Sequence, residues 1–259
     1  MPGILFDEII FGPVKSRRFG VSLGINLLPL NSKLCTFDCI YCECGLTSHE
    51  KGHKPVFYET EQILASLESR FNGLTDGLLA PDSITFAGNG EPTLHPDFAM
   101  IMKGVVSLRN QYFPLAKIIV LSNSTMLNRE FIHKALLLAD NNVLKLDAGT
   151  DATFQAINRP LNHITLEEAV EQLIGFKGDL TIQTLFLRGT IEGKVIDNTT
   201  EQEVKAWLGH LERIQPKLVM LYPIDRLTPY ASLEKISYDE LAVIAQQVEA
   251  MGLKAEVFS

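Results

Sequence analysis

Leu34-Cys35-Thr36-Phe37-Asp38-Cys39-Ile40-Tyr41-Cys42 sets three thiols in a C-x3-C-x2-C run, with an aromatic directly before the last. The only other cysteine is Cys44, so every thiol falls between positions 35 and 44. Disulfides confined there would staple one short loop and leave the remaining chain unconstrained, so metal binding fits the pattern better. Three thiolates this close suggest a metal cluster. A cubane iron–sulfur cluster with three protein ligands keeps one iron open to a further molecule. The alternative is a structural zinc site that recruits Cys44 as fourth thiolate, although the spacing departs from the paired C-x2-C usual there. Cys44 otherwise reads as a thiol near the cluster or a small packing residue, outside the ligand set.

Working outward, an apolar strand, Gly20 to Leu27, precedes the cysteine loop, and a helix from Thr60 to Phe71 follows it with Ile63, Leu64, Leu67 and Phe71 on one face. The alternation continues through a strand at Ser83 to Ala87, a helix from Asp97 to about Leu108 and a strand at Lys117 to Leu121. A helix near Arg129 to Ala139 and a strand at Val143 to Leu146 come next. Three later helices open on the capping boxes Thr165-x-x-Glu168, Thr200-x-x-Glu203 and Ser237-x-x-Glu240. Between them lie strands at Leu180 to Leu187 and Leu218 to Tyr222, and Gly252 closes the last helix before a final strand, Lys254 to Phe258. Six β/α units of this kind fold, by the connection rules, into a right-handed layered sheet or an open barrel. The loops after the strand ends then share one face, which brings the cysteine loop to Gly88-Asn89-Gly90-Glu91-Pro92 at the end of the second strand.

With its C-x3-C-x-aromatic-C loop and the strand-to-turn run Ile84-Thr85-Phe86-Ala87-Gly88-Asn89-Gly90-Glu91-Pro92, the chain resembles the radical S-adenosylmethionine (SAM) superfamily. The resemblance implies a six-unit (β/α) open partial TIM barrel with mostly parallel strands. It implies that Cys35, Cys39 and Cys42 hold a 4Fe-4S cluster, that SAM chelates the open iron, and that an electron from a low-potential donor such as a flavodoxin or ferredoxin cleaves SAM to a 5′-deoxyadenosyl radical. The segment Phe11 to Gly20 looks like the subgroup that includes the wyosine-base-forming tRNA enzymes. That subgroup carries further N-terminal cysteines and an RNA-binding extension, whereas this chain has no cysteine before Cys35. A non-catalytic iron–sulfur carrier is the bland alternative, and it leaves the Gly88 to Glu91 turn without a ligand.

Further candidates sit at the strand ends. The resemblance places Tyr41 beside the SAM adenine, ordinary packing being the other reading. Gly88 and Gly90 would let backbone approach a ligand closely, with Asn89 between them, and Glu91 is a candidate acceptor for the SAM ammonium; a generic tight turn is the alternative. A dinucleotide fingerprint is excluded because no glycine stands three residues after Gly90 and Pro92 interrupts the helix start. Ser122 and Asn123 end the third strand where the family often contacts SAM ribose or carboxylate, and such residues also commonly make turns. Lys145 and Asp147 are candidate SAM or substrate contacts or else a strand-end ion pair. Gln183, Arg188, Asp225 and Arg226 are candidate substrate or SAM contacts at the same mouth, against a bland reading as solvated or paired side chains.

Length and composition set the frame. At 259 residues and 46% hydrophobic, the chain suits one domain, with residues 1–19 as a lead-in segment. No signal peptide or membrane-length apolar run is read from it, which makes a cytoplasmic protein the expectation. A net charge of -8 does not favour nucleic acid, Lys15-Ser16-Arg17-Arg18 being one small basic patch. His49, His53, His95, His133, His163 and His210 lack zinc-binding spacing. The sequons at Asn123 and Asn198 read as strand-end and capping residues.

Overall fold

Strand β3 (Ser83–Phe86) is buried at all four positions, as expected of a short apolar run covered on both faces. It lies between β2 (Gly20–Ile25) and β4 (Lys117–Ser122), parallel to both, with Leu23 opposite Ile84 and Ile84 opposite Ile118. The sheet then continues in chain order through β5 (Asn141–Lys145) and β6 (Thr181–Ile191) to β8 (Leu218–Pro223) and β10 (Ala255–Val257), every pairing parallel. The crossovers carry α1 (Thr60–Thr75), α2 (Phe98–Tyr112), α3 (Glu130–Leu136), α5 (Leu166–Ile174), α6 (Glu201–Ile214) and α7 (Tyr238–Ala250). A computed structural model describes residues 3–47, 55–75 and 80–258; His49 and His53 lie outside them. Among the described residues the two ends of the sheet do not pair with each other, so the barrel is open, as expected.

Helices cover the sheet through the stripes their spacing foretells. Ile63, Leu67 and Phe71 of α1 are fully buried, and Leu64 packs against the same core half-buried. Phe98 of α2 meets Phe86 of β3 edge-on at 5.7 Å, and Trp207 of α6 meets Phe186 of β6 at 5.3 Å. The boxes at Thr165/Glu168 and Ser237/Glu240 close reciprocally. At Thr200 the hydroxyl accepts from the Glu203 N–H, but the Glu203 carboxylate does not return the bond. It accepts from the N–H groups of Gly149 and Thr150 and the hydroxyls of Thr150 and Thr153, clamping the loop after β5.

The structure departs from the sequence reading at three elements. The lead-in forms strand β1 (Ile10–Ser16), antiparallel to β2 across a bulge between Phe11 and Val14. Strand β6 runs past the barrel to Ile191, where β7 (Lys194–Asp197) and β9 (Leu233–Lys235) pair with it antiparallel. A short helix, α4 (Asp151–Asn158), follows Gly149 with Thr150 as its N-cap. Strands β1 and β7 pair across tight turns, Ser16 opposite Gly20 and Ile191 opposite Lys194, whereas β9 reaches β6 from far along the chain; strands this short, or interrupted by glycine and proline as β1 is, carry little period of their own.

Candidate active site

The cysteine loop leaves β2 and is held on two sides by backbone. The Leu34 N–H donates to Asn89 O at 2.8 Å and the Glu91 N–H to Leu34 O at 3.0 Å, fastening the loop to the glycine turn. On the other side the Asp38 and Ile40 N–H groups donate to the carbonyls of Asn158 and Ile157 at the end of α4. Gly90 has φ +139°, and a Cβ there would sit 1.8 Å from Leu34 O; at Gly88, with φ +153°, it would sit 2.2 Å from Asn26 Oδ1. Both glycines admit the close approach of the chain itself.

Cys39 is buried, and Cys35 and Cys42 are half-buried. N–H donors point at two of the sulfurs: Asn123 Nδ2 at 3.4 Å and the Phe37 N–H at 3.4 Å toward Cys35, and Asn158 Nδ2 at 3.5 Å toward Cys39. Lys33 Nζ is buried beside them, donating to Gly45 O at 2.9 Å and facing Asp38 at 3.4 Å. Burial presses the Lys33 ammonium down, but Cys42, Cys35, Cys39 and Asp38 together raise it above its ordinary value. Burial pushes the Cys35 thiol up to about 12 and Cys39 to about 11. A hydrogen bond with the Cys44 thiol, aided against burial by Lys33, lowers Cys42 to about 6. Among the described residues no three or more His, Cys, Asp or Glu side chains gather around one ion. Each ligand sulfur of a cubane holds a different iron, so its thiolates need not converge as four zinc ligands must. The donor set, the N–H bonds to sulfur and the buried cation fit a thiolate-held cluster.

The remaining candidates divide into two groups. Glu91 is buried and accepts from the Thr93 N–H at 3.1 Å, Thr93 Oγ1 at 2.5 Å, Ser122 Oγ at 2.9 Å and the Asn123 N–H at 2.6 Å. Its carboxylate is thus engaged in joining the glycine turn to the end of β4. Asn89 turns away from the thiols and binds the Phe6 backbone and Pro29 O, tying down the lead-in. Ser122 completes the Glu91 network, while Asn123 reaches Cys35 and, at 2.9 Å, Thr36 Oγ1. Ser124 follows at φ +72°, fully buried and with its hydroxyl unpartnered.

In the second group Tyr41, Lys145, Gln183, Asp225 and Arg226 line a cavity of about 310 Å³ beside Cys42 and Cys44, with Asp147 buried behind them. Tyr41 hydrogen-bonds Asp147 and accepts from Lys145 Nζ at 2.7 Å. Asp147 also accepts from Asn158 Nδ2 at 2.7 Å and the Leu185 N–H at 2.9 Å, and faces Lys145 at 3.5 Å. Gln183 meets Tyr222 and accepts from Arg18 Nη1 at 2.6 Å. Asp225 pairs with Arg17 at 2.8 Å and Arg226 with Glu43 at 3.0 Å. Arg188 lies elsewhere: it pairs with Glu240 on α7 and does not line the cavity, because β6 carries it into the antiparallel extension. The sequence reading leaves Lys33, Asn158 and Tyr222 out of the site and places Arg18 only in the small basic patch; Lys33 lies two residues before the first thiol, and Asn158 has no local signal at all.

The radical SAM family profile matches residues 32–190, a span that contains both the cysteine loop and the glycine turn. The chain belongs to the radical SAM superfamily. A UPF0026 protein of Methanocaldococcus jannaschii is 36% identical over 183 residues, covering 69% of this chain and 54% of that one. A UPF0026 protein of Synechocystis is 34% identical over 219 residues, covering 82% and 74%. The chain therefore spans about half the length of the first of these relatives. A solved radical SAM methyltransferase from Sphaerobacter thermophilus shares the fold with a TM-score of 0.67 at 16% identity, covering 92% of this chain and 65% of that one. The family implies an enzyme that uses SAM and a 4Fe-4S cluster, and no described helix is long and apolar enough to cross a membrane.

Proposed function

We propose that this chain is a radical SAM enzyme whose Cys35, Cys39 and Cys42 hold a 4Fe-4S cluster and whose half-barrel encloses hydrogen abstraction from a substrate. The observation that carries the reading is the Leu34–Gly90 backbone bridge, which fastens the three-thiol loop to the glycine turn at the C-terminal end of parallel strands. When bound, the cluster supplies the electron that cleaves SAM reductively to methionine and a 5′-deoxyadenosyl radical. The chain's own residues prepare that site. Asn123 and Asn158 donate to the sulfurs, and Lys33 balances negative charge from within the fold. Tyr41, held by Lys145 and Asp147, walls the cavity next to Cys42. A low-potential donor of flavodoxin or ferredoxin type is the partner this chemistry requires.

The decisive experiment measures 5′-deoxyadenosine released from SAM by anaerobically reconstituted, dithionite-reduced protein, native against Cys39→Ala. Release by the native chain alone, with about four irons bound per chain, is the expected result. A loaded cluster that binds no SAM and releases nothing would instead support the electron-carrier reading. A wyosine-type action on tRNA rests on the lead-in's resemblance alone; it requires RNA binding that falls steeply with salt. Arg18 of that basic patch is turned into the cavity rather than outward.

A further inference from the structure

The cavity beside Cys42 lies at the seam of the open barrel. The turn between β1 and β2 reaches across from one edge of the sheet to β6 and the end of β8 near the other. Four cations line the cavity, Arg17, Arg18, Lys145 and Arg226, against two carboxylates, Glu43 and Asp225. This local excess is opposite in sign to the chain's net charge of -8. Three of the four have a carboxylate of their own: Arg17 has Asp225, Arg226 has Glu43, and Lys145 has Asp147 behind it. Arg18 has none among the described residues. Its guanidinium rests 5.6 Å from the centre of the Tyr222 ring and 5.0 Å from that of Phe19, and gives one hydrogen bond to the neutral Gln183.

We propose that Arg18 is the anchor for an acidic group of the substrate, a carboxylate or a phosphate carried on a small apolar body. This rests on the radical SAM reading given above. A guanidinium presents five N–H donors in a planar fork, and Gln183 occupies only one, so the arrangement leaves room for bidentate capture of an oxyanion. Leu185, Pro223, Ile224 and Phe258 line the same space with apolar surface. The volume of about 310 Å³ is at the lower end for ligand sites and suits a small acid. Burial holds Arg18 below its ordinary value, with Tyr222 and Glu43 opposing and Arg17 adding to the fall, the direction expected of a cation still lacking an anionic partner. Cys42, Tyr41 and Lys145 bound the same cavity, so a substrate held by Arg18 lies in the chamber that adjoins the cluster ligands.

The test uses the full chain, reconstituted anaerobically, with inorganic phosphate and glutarate as probes in separate calorimetric titrations. Native protein is expected to bind at least one; preference for phosphate assigns a phosphate ester, preference for glutarate a carboxylate. Arg18→Gln is expected to weaken that binding roughly ten- to hundred-fold, the worth of a charge-assisted contact in a half-buried site. Arg18→Lys, which keeps the charge and loses the fork, is expected to weaken it about ten-fold, and it decides the matter if the glutamine variant does not fold. SAM retention on the same samples is measured by equilibrium dialysis and should not follow the anion. No binding of either anion to the native chain, native-like binding by the variants, or a parallel loss of SAM affinity would each overturn the assignment, the last by giving Arg18 to the SAM carboxylate. SAM cleavage without Arg18-dependent anion binding fails this inference alone. Arg18-dependent binding without SAM cleavage fails the functional reading alone.

Discussion

A single missing side-chain carbon holds the cysteine loop in place. At Gly90 the positive φ and the 1.8 Å separation between a built Cβ and Leu34 O leave no room for alanine. Gly90→Ala is expected to cost about 2–5 kcal/mol through a strained backbone and an overpacked contact, and to lower iron loading because Leu34 adjoins Cys35. Thermal melts and iron content per chain check this; a variant that melts and loads like the native chain would refute it. The glycines, Glu91 and the thiols stand out in the sequence as motif residues. Their contacts were not. Asn89 and Glu91 turn their polar atoms on the chain itself, because their partners Phe6, Ser122 and Asn123 lie far from them in sequence.

At the scale of the element, the capping boxes show what a local pattern conveys and where it stops. Thr200-x-x-Glu203 has the same spacing as the other two boxes, yet Glu203 is buried and spends its carboxylate on the loop before α4. Glu203→Ala should cost about 2–4 kcal/mol, since it strands buried N–H groups at Gly149 and Thr150, while Glu168→Ala at an exposed box should cost clearly less. Urea unfolding of both variants gives the comparison, and equal losses would remove the tethering role. Glu240 of the third box also pairs with Arg188. Hydrogen bonds from Ser237 and Arg188 lower its carboxyl from an ordinary 4.5 to about 2. The unfolded chain binds the extra proton between those values, so this contribution is fully present above pH 4.5 and fades as pH falls toward 2. Glu240→Gln is expected to shrink the difference between urea midpoints at pH 3 and pH 7; an unchanged difference would count against it.

At the scale of the whole molecule, an open barrel joins the two sides of its seam with polar contacts instead of a closing strand pair. Arg17–Asp225 and Arg226–Glu43 are exposed pairs, each worth below about 1 kcal/mol, so Asp225→Ala should barely move the melting temperature. Trp207→Ala, removing a buried ring against Phe186, should cost about 3–5 kcal/mol. Differential scanning calorimetry separates the two, and a large loss at Asp225 would show that the seam carries stability. Hydrophobic period, capping and connection handedness are written into the chain itself, and they carry the main alternation of strands and helices, the parallel sheet and the meeting of the cysteine loop with the glycine turn. Folding alone places Arg188 away from the mouth, sets Asn158 and Asn123 against the sulfurs and leaves Arg18 without a carboxylate among the described residues. Each of these depends on side chains brought together across long separations, where packing and charge, and no local pattern, choose the partner.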